Sequence, residues 1–295
     1  MTAILVCVLA LYGRGWYLLA REAPGRVPAW CFGSFLAGLV AIWISWTAWL
    51  ATLTHYLLIA HMVQHLLLAL AAPPLLLLGC PGLAFARALG RRPGRESGEI
   101  LPSPGSSWTG RLGSFLTHPI VAGILMVAIT IAWHIPATFN LAMHSPALHT
   151  LENATFLGSG VLFWWPVILP WPSTQHWPRW AIPLYLLGAD MPVSVLSAYL
   201  AFCGRVIYPA YLTVPRLFPI SALNDQVAAA MLMWVAMLLV FLAAAVAVIL
   251  EVLDPSWGHS LEVEEALRRS AIGQGADRAA QRGERRPGLN QTPAL

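Results

Sequence analysis

Two histidines interrupt a long apolar stretch of this chain, and their spacing suits metal or cofactor chemistry. The stretch runs from Leu57 to Pro81 and reads LLIAHMVQHLLLALAAPPLLLLGCP. Its histidines, His61 and His65, are four residues apart, so on a helix they lie one turn apart on the same face. Imidazoles at this spacing can share one metal ion, with copper, zinc, iron and nickel all suitable, or they can ligate haem.

A hydrolytic zinc centre fits this segment less well than a metal-holding site does. The segment His61-Met62-Val63-Gln64-His65 carries no glutamate to act as a general base, so it does not match the HExxH helix of zinc hydrolases. We therefore expect a binding protein and not an enzyme.

The composition shows which kind of element must position these histidines. Hydrophobic residues make up 58% of the chain and charged residues 10%, against about 25% charged in soluble domains. An apolar run of about 20 residues is long enough to cross a bilayer as a helix. An ionisable pair inside such a run is costly to bury, which makes this face a candidate functional site.

Seven apolar segments predict an all-α polytopic membrane protein with a bundle of seven transmembrane helices. In the third segment, the pair Pro73-Pro74 removes two backbone donors and is predicted to kink or end the helix. Residues 1–253 would form the membrane domain, and residues 254–295 a polar, largely disordered tail. The predicted spans are Thr2 to Ala20, Trp30 to Leu50, Thr54 to Gly79, Pro119 to Pro136, Leu151 to Leu169, Ala181 to Cys203 and Asp225 to Leu250.

The positive charges predict how the helices are oriented. Arginine supplies all of the basic residues, and most arginines fall in alternate connections and in the tail. Because basic loops stay on the cytoplasmic side, the amino terminus is predicted outside and the carboxyl terminus in the cytoplasm. The net charge of +4 is thereby explained without a nucleic-acid partner.

This orientation gathers most of the histidines near the outer leaflet. A transmembrane dihaem carrier would need histidines near both faces, so the clustering favours a metal site. Asp225 opens the seventh span on the same side, where it could either cap that helix or ligate. The candidate ligands from the sequence are His61, His65, His134, His144, His149 and Asp225.

The four cysteines show no metal-binding or redox motif. Cys7, Cys31, Cys80 and Cys203 stand singly among apolar residues, with no CxxC spacing. We interpret them as small buried hydrophobic residues.

Several short motifs, taken in order, resemble the seven-helix CtaG family of cytochrome c oxidase assembly factors. The likeness covers about residues 30 to 250, and the motifs are specific as a set. They are His61-Met62-Val63-Gln64-His65, Ala72-Pro73-Pro74-Leu75, Gly79-Cys80-Pro81, Trp133-His134-Ile135-Pro136, Phe163-Trp164-Trp165-Pro166, Tyr208-Pro209-Ala210-Tyr211 and Asp225-Gln226.

The resemblance implies a bacterial plasma-membrane protein that helps to mature haem-copper oxidases by binding and inserting copper. Its partners would be oxidase subunits, a possible copper donor protein and the lipid bilayer. It implies metal-binding roles for the six candidate ligands. The chain departs from the family pattern at two places: Asn153 stands where a further histidine is expected four residues after His149, and Ser45-Trp46-Thr47-Ala48 replaces an expected Ser-Pro-Leu-Asp. A haem-binding electron carrier and a metal transporter or channel remain the alternatives.

Overall fold

The computed structural model describes residues 2–22, 27–90, 108–170 and 177–253, and within these ranges the regular structure is entirely helical. The all-α prediction is therefore confirmed for these ranges. The predicted tail, residues 254–295, lies outside them. The helices in chain order are α1 (Thr2–Glu22), α2 (Ala29–Ser45), α3 (Ala48–Thr54), α4 (Leu58–Leu78), α5 (Pro81–Ala88), α6 (Trp108–Leu116), α7 (Pro119–His134), α8 (Pro136–His144), α9 (Pro146–Ile168), α10 (Arg179–Phe202), α11 (Ala210–Thr213) and α12 (Ala222–Leu253).

Among the described residues, four helices are long and apolar enough to cross a membrane. These are α1, α4, α10 and α12, and the number rises to six if each of two bent pairs forms one span. The pairs are α2 with α3, bent by 52°, and α7 with α8, bent by 73°. The chain is thus a multi-pass membrane protein with four to six candidate spans, and the count of seven stays a prediction.

The first bent pair shows why one predicted span is broken. The segment Trp30 to Leu50 was expected to be a single helix, but α2 ends at Ser45 and Thr47 caps the start of α3. The Thr47 hydroxyl accepts a hydrogen bond from the Leu50 backbone N–H. A threonine that caps a new helix favours an interruption at this point.

The third predicted span is observed as α4, and its prolines do not end it. Residues Leu67–Ala71 form a π-helical turn, and the α-helix resumes at Ala72 with Pro73 and Pro74 in its first turn. The π-helical turn directly before the prolines changes the local hydrogen-bond spacing, which lets the helix continue past two residues without backbone donors.

Contacts within residues 1–246, one of two compact units, place α4 at the centre. It packs against α2 on one side and against α9 on another, while α9 also packs on α7. The second unit comprises residues 247–295, of which 247–253 are described as the end of α12.

Candidate metal centre

Three buried side chains from α4 and α9 bring their donor atoms together. His61 Nε2 lies 2.6 Å from His65 Nε2, and Glu152 Oε1 lies 3.5 Å and 3.2 Å from these two nitrogens. The side chains of His61 and Glu152 are 1% exposed and that of His65 is 6% exposed. Two imidazoles and a carboxylate in one contact form a group that could hold a metal ion.

The helical repeat and one glycine produce this arrangement. His61 and His65 share a face because they lie one turn apart on α4. Glu152 comes from α9, which approaches α4 closely at Gly160, where an added Cβ would lie 2.7 Å from the Ala69 carbonyl oxygen. The absence of a side chain at Gly160 lets the two backbones come near enough for Glu152 to reach both histidines.

Asp225 positions the helix that carries the histidines. Its carboxylate accepts hydrogen bonds from the backbone N–H groups of Leu58 (2.8 Å) and Ile59 (3.1 Å), while its side chain is buried. Leu57, just before α4, offers no capping side chain of its own. Asp225 therefore caps α4 from a distant part of the chain, with its negative charge at the positive end of the helix dipole.

The polar atoms around the three-residue group lack partners to an unusual degree. Buried polar atoms in proteins are nearly always hydrogen-bonded, and each exception calls for an explanation. A bound cation would supply a partner for the atoms turned toward it, whereas the Nδ1 atoms of His61 and His65 face away from an ion held at their Nε2 atoms. Among the described residues, the unpartnered buried atoms here are His61 Nδ1, His65 Nδ1, His134 Nε2, His149 Nε2, Glu152 Oε2 and Asn153 Oδ1.

The charge of the group also favours a cation. An ionised carboxylate at 1% exposure is costly unless a positive charge offsets it, and its two closest polar contacts are imidazoles that are neutral when they ligate a metal. The Glu152–histidine distances of 3.2 Å and 3.5 Å match the separation of about 3.3 Å expected for donors bound at ~2.0 Å in a tetrahedral site, whereas the two histidine nitrogens, 2.6 Å apart, would have to move apart to bind one ion in that geometry. The residues present therefore fit a metal ion.

His134 and His149 lie in the same region of the bundle. Because a carbonyl can only accept, the 2.7 Å contact with the Thr130 oxygen puts the proton of His134 on Nδ1 and leaves Nε2 free to ligate. The His149 ring stacks on that of His61, with centroids 5.5 Å apart. His134 also lines a cavity of about 330 Å³ together with Arg205.

The other side of His61 is closed by aromatic rings. Phe139 of α8 packs on the His61 ring at 5.0 Å and on Tyr208 at 4.2 Å between centroids. The Tyr208 hydroxyl donates a hydrogen bond to the His134 carbonyl oxygen at 3.1 Å. These contacts keep water away from the nitrogen and carboxylate donors, which strengthens any electrostatic interaction among them.

His144 does not join this group. It lies at the end of α8 with an exposed side chain, and its Nδ1 donates to the Asn140 carbonyl oxygen at 2.7 Å. The connection predicted to carry His144 and His149 is itself largely helical, formed by α8 and the first turn of α9. Glu152 was missing from the predicted ligands, although a carboxylate inside an apolar segment three residues after His149 is a usable signal.

The curated proteins that this chain matches carry the description uncharacterized protein. Those matched include proteins of Mycobacterium leprae, 29% identical over 57% of this chain, and Mycobacterium bovis, 28% identical over 63% of it. The chain spans about a quarter of the length of these relatives, with 25% and 28% of them covered. No solved structure matches it.

One protein-family model matches nearly all of the residues that the structure describes. Residues 10–254 match the model described as cytochrome c oxidase caa3 assembly factor, CtaG. The match includes α4, α9 and the start of α12, which together supply the three-residue group and the cap of α4. This chain therefore belongs to the CtaG family of caa3-type cytochrome c oxidase assembly factors.

Proposed function

We propose that this protein holds copper as cargo during the assembly of a haem-copper oxidase, and that it is not an enzyme. The observation that supports this role is the buried contact of two histidines with a carboxylate, His61, His65 and Glu152. The family supplies the connection to oxidase assembly. Oxidase subunits and a copper donor protein would be its partners.

The donor atoms suit divalent copper. Imidazole nitrogens and a carboxylate oxygen bind first-row divalent metals, and copper(II) binds most strongly to a given set of such donors. Zinc and iron accept the same three donors, so the choice of copper rests on the family. A group of three protein ligands leaves positions open for a ligand from a partner, which suits a protein that must release its cargo.

The proposed topology has seven spans with the metal centre near the outer face. Counting α9 as a span beside the six candidates gives seven, and its 23 residues are long enough to cross the hydrocarbon core. Its polar residues, including Glu152 and Asn153, lower its hydropathy because they serve the site. The arginine distribution supports an outer amino terminus and a cytoplasmic carboxyl terminus in a bacterial plasma membrane.

Metal analysis of purified protein tests the site directly. We expect the double variant His61→Ala, His65→Ala to lose the copper that the wild-type protein retains. The variant His144→Ala is the matched control, since it removes an exposed histidine that lies outside the group. Equal copper contents in the wild-type protein and the double variant would refute the proposed site.

A deletion strain tests the role in assembly. The oxidase subunits should still be made, but their copper content and activity should fall, and the double variant should not restore them. Normal copper in the oxidase of the deletion strain would refute an insertion role. Metal flux into liposomes in that case would favour the transporter alternative.

The geometry of the group also bears on the haem alternative. Bis-imidazole ligation of haem places two nitrogens on opposite sides of the iron, about 4 Å apart at ~2.0 Å per bond, whereas His61 Nε2 and His65 Nε2 lie side by side at 2.6 Å. A Soret band in the purified wild-type protein that disappears in the double variant would nevertheless favour that function over copper binding.

A further inference from the structure

Two cysteines that are far apart in the sequence lie close together just after the carboxyl end of α4, whose amino end is the one capped by Asp225. Cys31 in the first turn of α2 and Cys80 between α4 and α5 have their sulfur atoms 4.0 Å apart. No disulfide joins them, and Cys31 is buried while Cys80 is partly exposed. About 15 residues separate His65 from Cys80 along the chain, so at ~1.5 Å per residue the thiols lie about 20 Å from the histidine group.

The backbone around this pair is tightly constrained. Cys80 has φ 50°, a left-handed conformation that glycine normally occupies after a helix end. The glycine of this segment stands one position earlier, because a Cβ at Gly79 would lie 2.7 Å from Phe35 Cβ and 3.1 Å from the Cys31 carbonyl oxygen. A cysteine held in a strained conformation beside a second thiol is an arrangement associated with function.

Hydrogen bonds from one tyrosine fix the two thiol-bearing segments relative to each other. The buried Tyr12 hydroxyl lies 2.7 Å from the Gly79 carbonyl oxygen and 3.2 Å from that of Cys31. Because both contacts involve backbone atoms next to or within the cysteine residues, they hold the two backbone segments that carry the sulfurs close to each other.

The surroundings of the pair are apolar, with one exception. Leu19, Val27 and Leu83 pack around it, as does Trp16. The Trp16 indole N–H is buried and has no hydrogen-bond partner among the described residues. This indole belongs to the same packed cluster as the two cysteines.

We propose that Cys31 and Cys80 form a second metal site, which takes a soft monovalent ion, Cu(I). Thiolates prefer soft metals, and two sulfurs held at ~2.3 Å by one ion lie about 3.8 to 4.6 Å apart as the angle at the metal opens from tetrahedral to linear. The observed 4.0 Å falls in this range, whereas a disulfide requires ~2.05 Å. Binding of one Cu(I) by two thiolates releases both thiol protons and leaves one net negative charge on the site.

The choice of copper here rests on the proposed function, but the site is separate from the histidine group. The cysteines offer soft sulfur donors at one end of α4, whereas His61, His65 and Glu152 offer nitrogen and oxygen nearer the other. The protein would thus hold copper in two places with different oxidation-state preferences.

The test uses the full-length protein, purified in detergent with reductant and without oxygen, and titrated with Cu(I). X-ray absorption should show copper–sulfur bonds in the wild-type protein and in the variant His61→Ala, His65→Ala. In Cys80→Gly the number of copper–sulfur bonds should fall. The affinity of this variant for Cu(I), measured by competition with a chelator, should drop about 100-fold or more because one of two thiolate bonds is lost. The control Cys7→Ala, which removes an exposed thiol, should match the wild-type protein.

Cys80→Gly also separates loss of binding from loss of folding. Glycine adopts the left-handed backbone of position 80 without strain, so this variant should unfold at the same temperature as the wild-type protein or higher when copper is absent. Unchanged Cu(I) affinity in Cys80→Gly, or a Cys31–Cys80 disulfide that persists in reductant, would overturn the proposal. Copper–sulfur bonds in a wild-type protein whose histidine group binds no copper would refute the proposed function alone.

Discussion

Replacing Glu152 with glutamine should have opposite effects on the metal-free and the metal-bound protein. The substitution keeps the shape of the side chain and one oxygen donor but removes the charge. In the metal-free protein a carboxylate at 1% exposure is costly, so Glu152→Gln should leave the free energy of unfolding unchanged or raise it. In the metal-bound protein it should weaken binding.

The size of the binding effect follows from the geometry. A cation bound by the group interacts with the Glu152 carboxylate by at least several kcal/mol at an effective dielectric constant of about 20. The amide dipole of glutamine recovers part of this energy. We therefore expect a net loss of about 2 to 3 kcal/mol, which corresponds to roughly 100-fold weaker binding.

Calorimetric titration and thermal unfolding, each on purified protein with and without copper(II), measure both effects. Copper should raise the unfolding temperature of the wild-type protein more than that of Glu152→Gln, because tighter binding gives greater stabilisation. Glu22→Gln is the matched control, since Glu22 pairs with Arg87 at the surface. Binding by Glu152→Gln as tight as that of the wild-type protein would refute the charge argument.

Three further predictions concern single positions. Asp225→Asn should lower the free energy of unfolding by about 1 to 3 kcal/mol in denaturant titrations, because the amide is a weaker cap for the buried N–H groups of α4. Unchanged stability would contradict the capping role of Asp225. His144→Ala should have a copper affinity within about twofold of the wild-type value in the same calorimetric titration, since the His144 ring bonds to the Asn140 carbonyl oxygen and lies outside the three-residue group. A large loss of affinity would show that His144 is a ligand. Gly160→Ala should lower the free energy of unfolding by about 1 to 3 kcal/mol, measured by thermal unfolding, and should weaken copper binding, because the new methyl group would meet Ala69 and push α9 away from α4. Stability and binding equal to those of the wild-type protein would show that this close approach is not required.

The local features of the site could be predicted from the sequence. The length and apolarity of the segments indicate membrane helices, because crossing the bilayer needs a minimum number of apolar residues. The four-residue spacing of His61 and His65 places them on one helix face, because the helical repeat depends only on neighbouring residues. The ordered motifs predicted the family, and that prediction is confirmed.

Only the tertiary structure decided which side chains meet those two histidines. Glu152 joins them because α9 packs on α4 at a glycine, and Asp225 caps α4 from 167 residues away in sequence. The meeting of Cys31 with Cys80 likewise depends on packing between distant helices. A helical repeat specifies which residues share a face of one helix. Which other helix packs against that face depends on contacts between distant parts of the chain, and the local sequence pattern does not contain them.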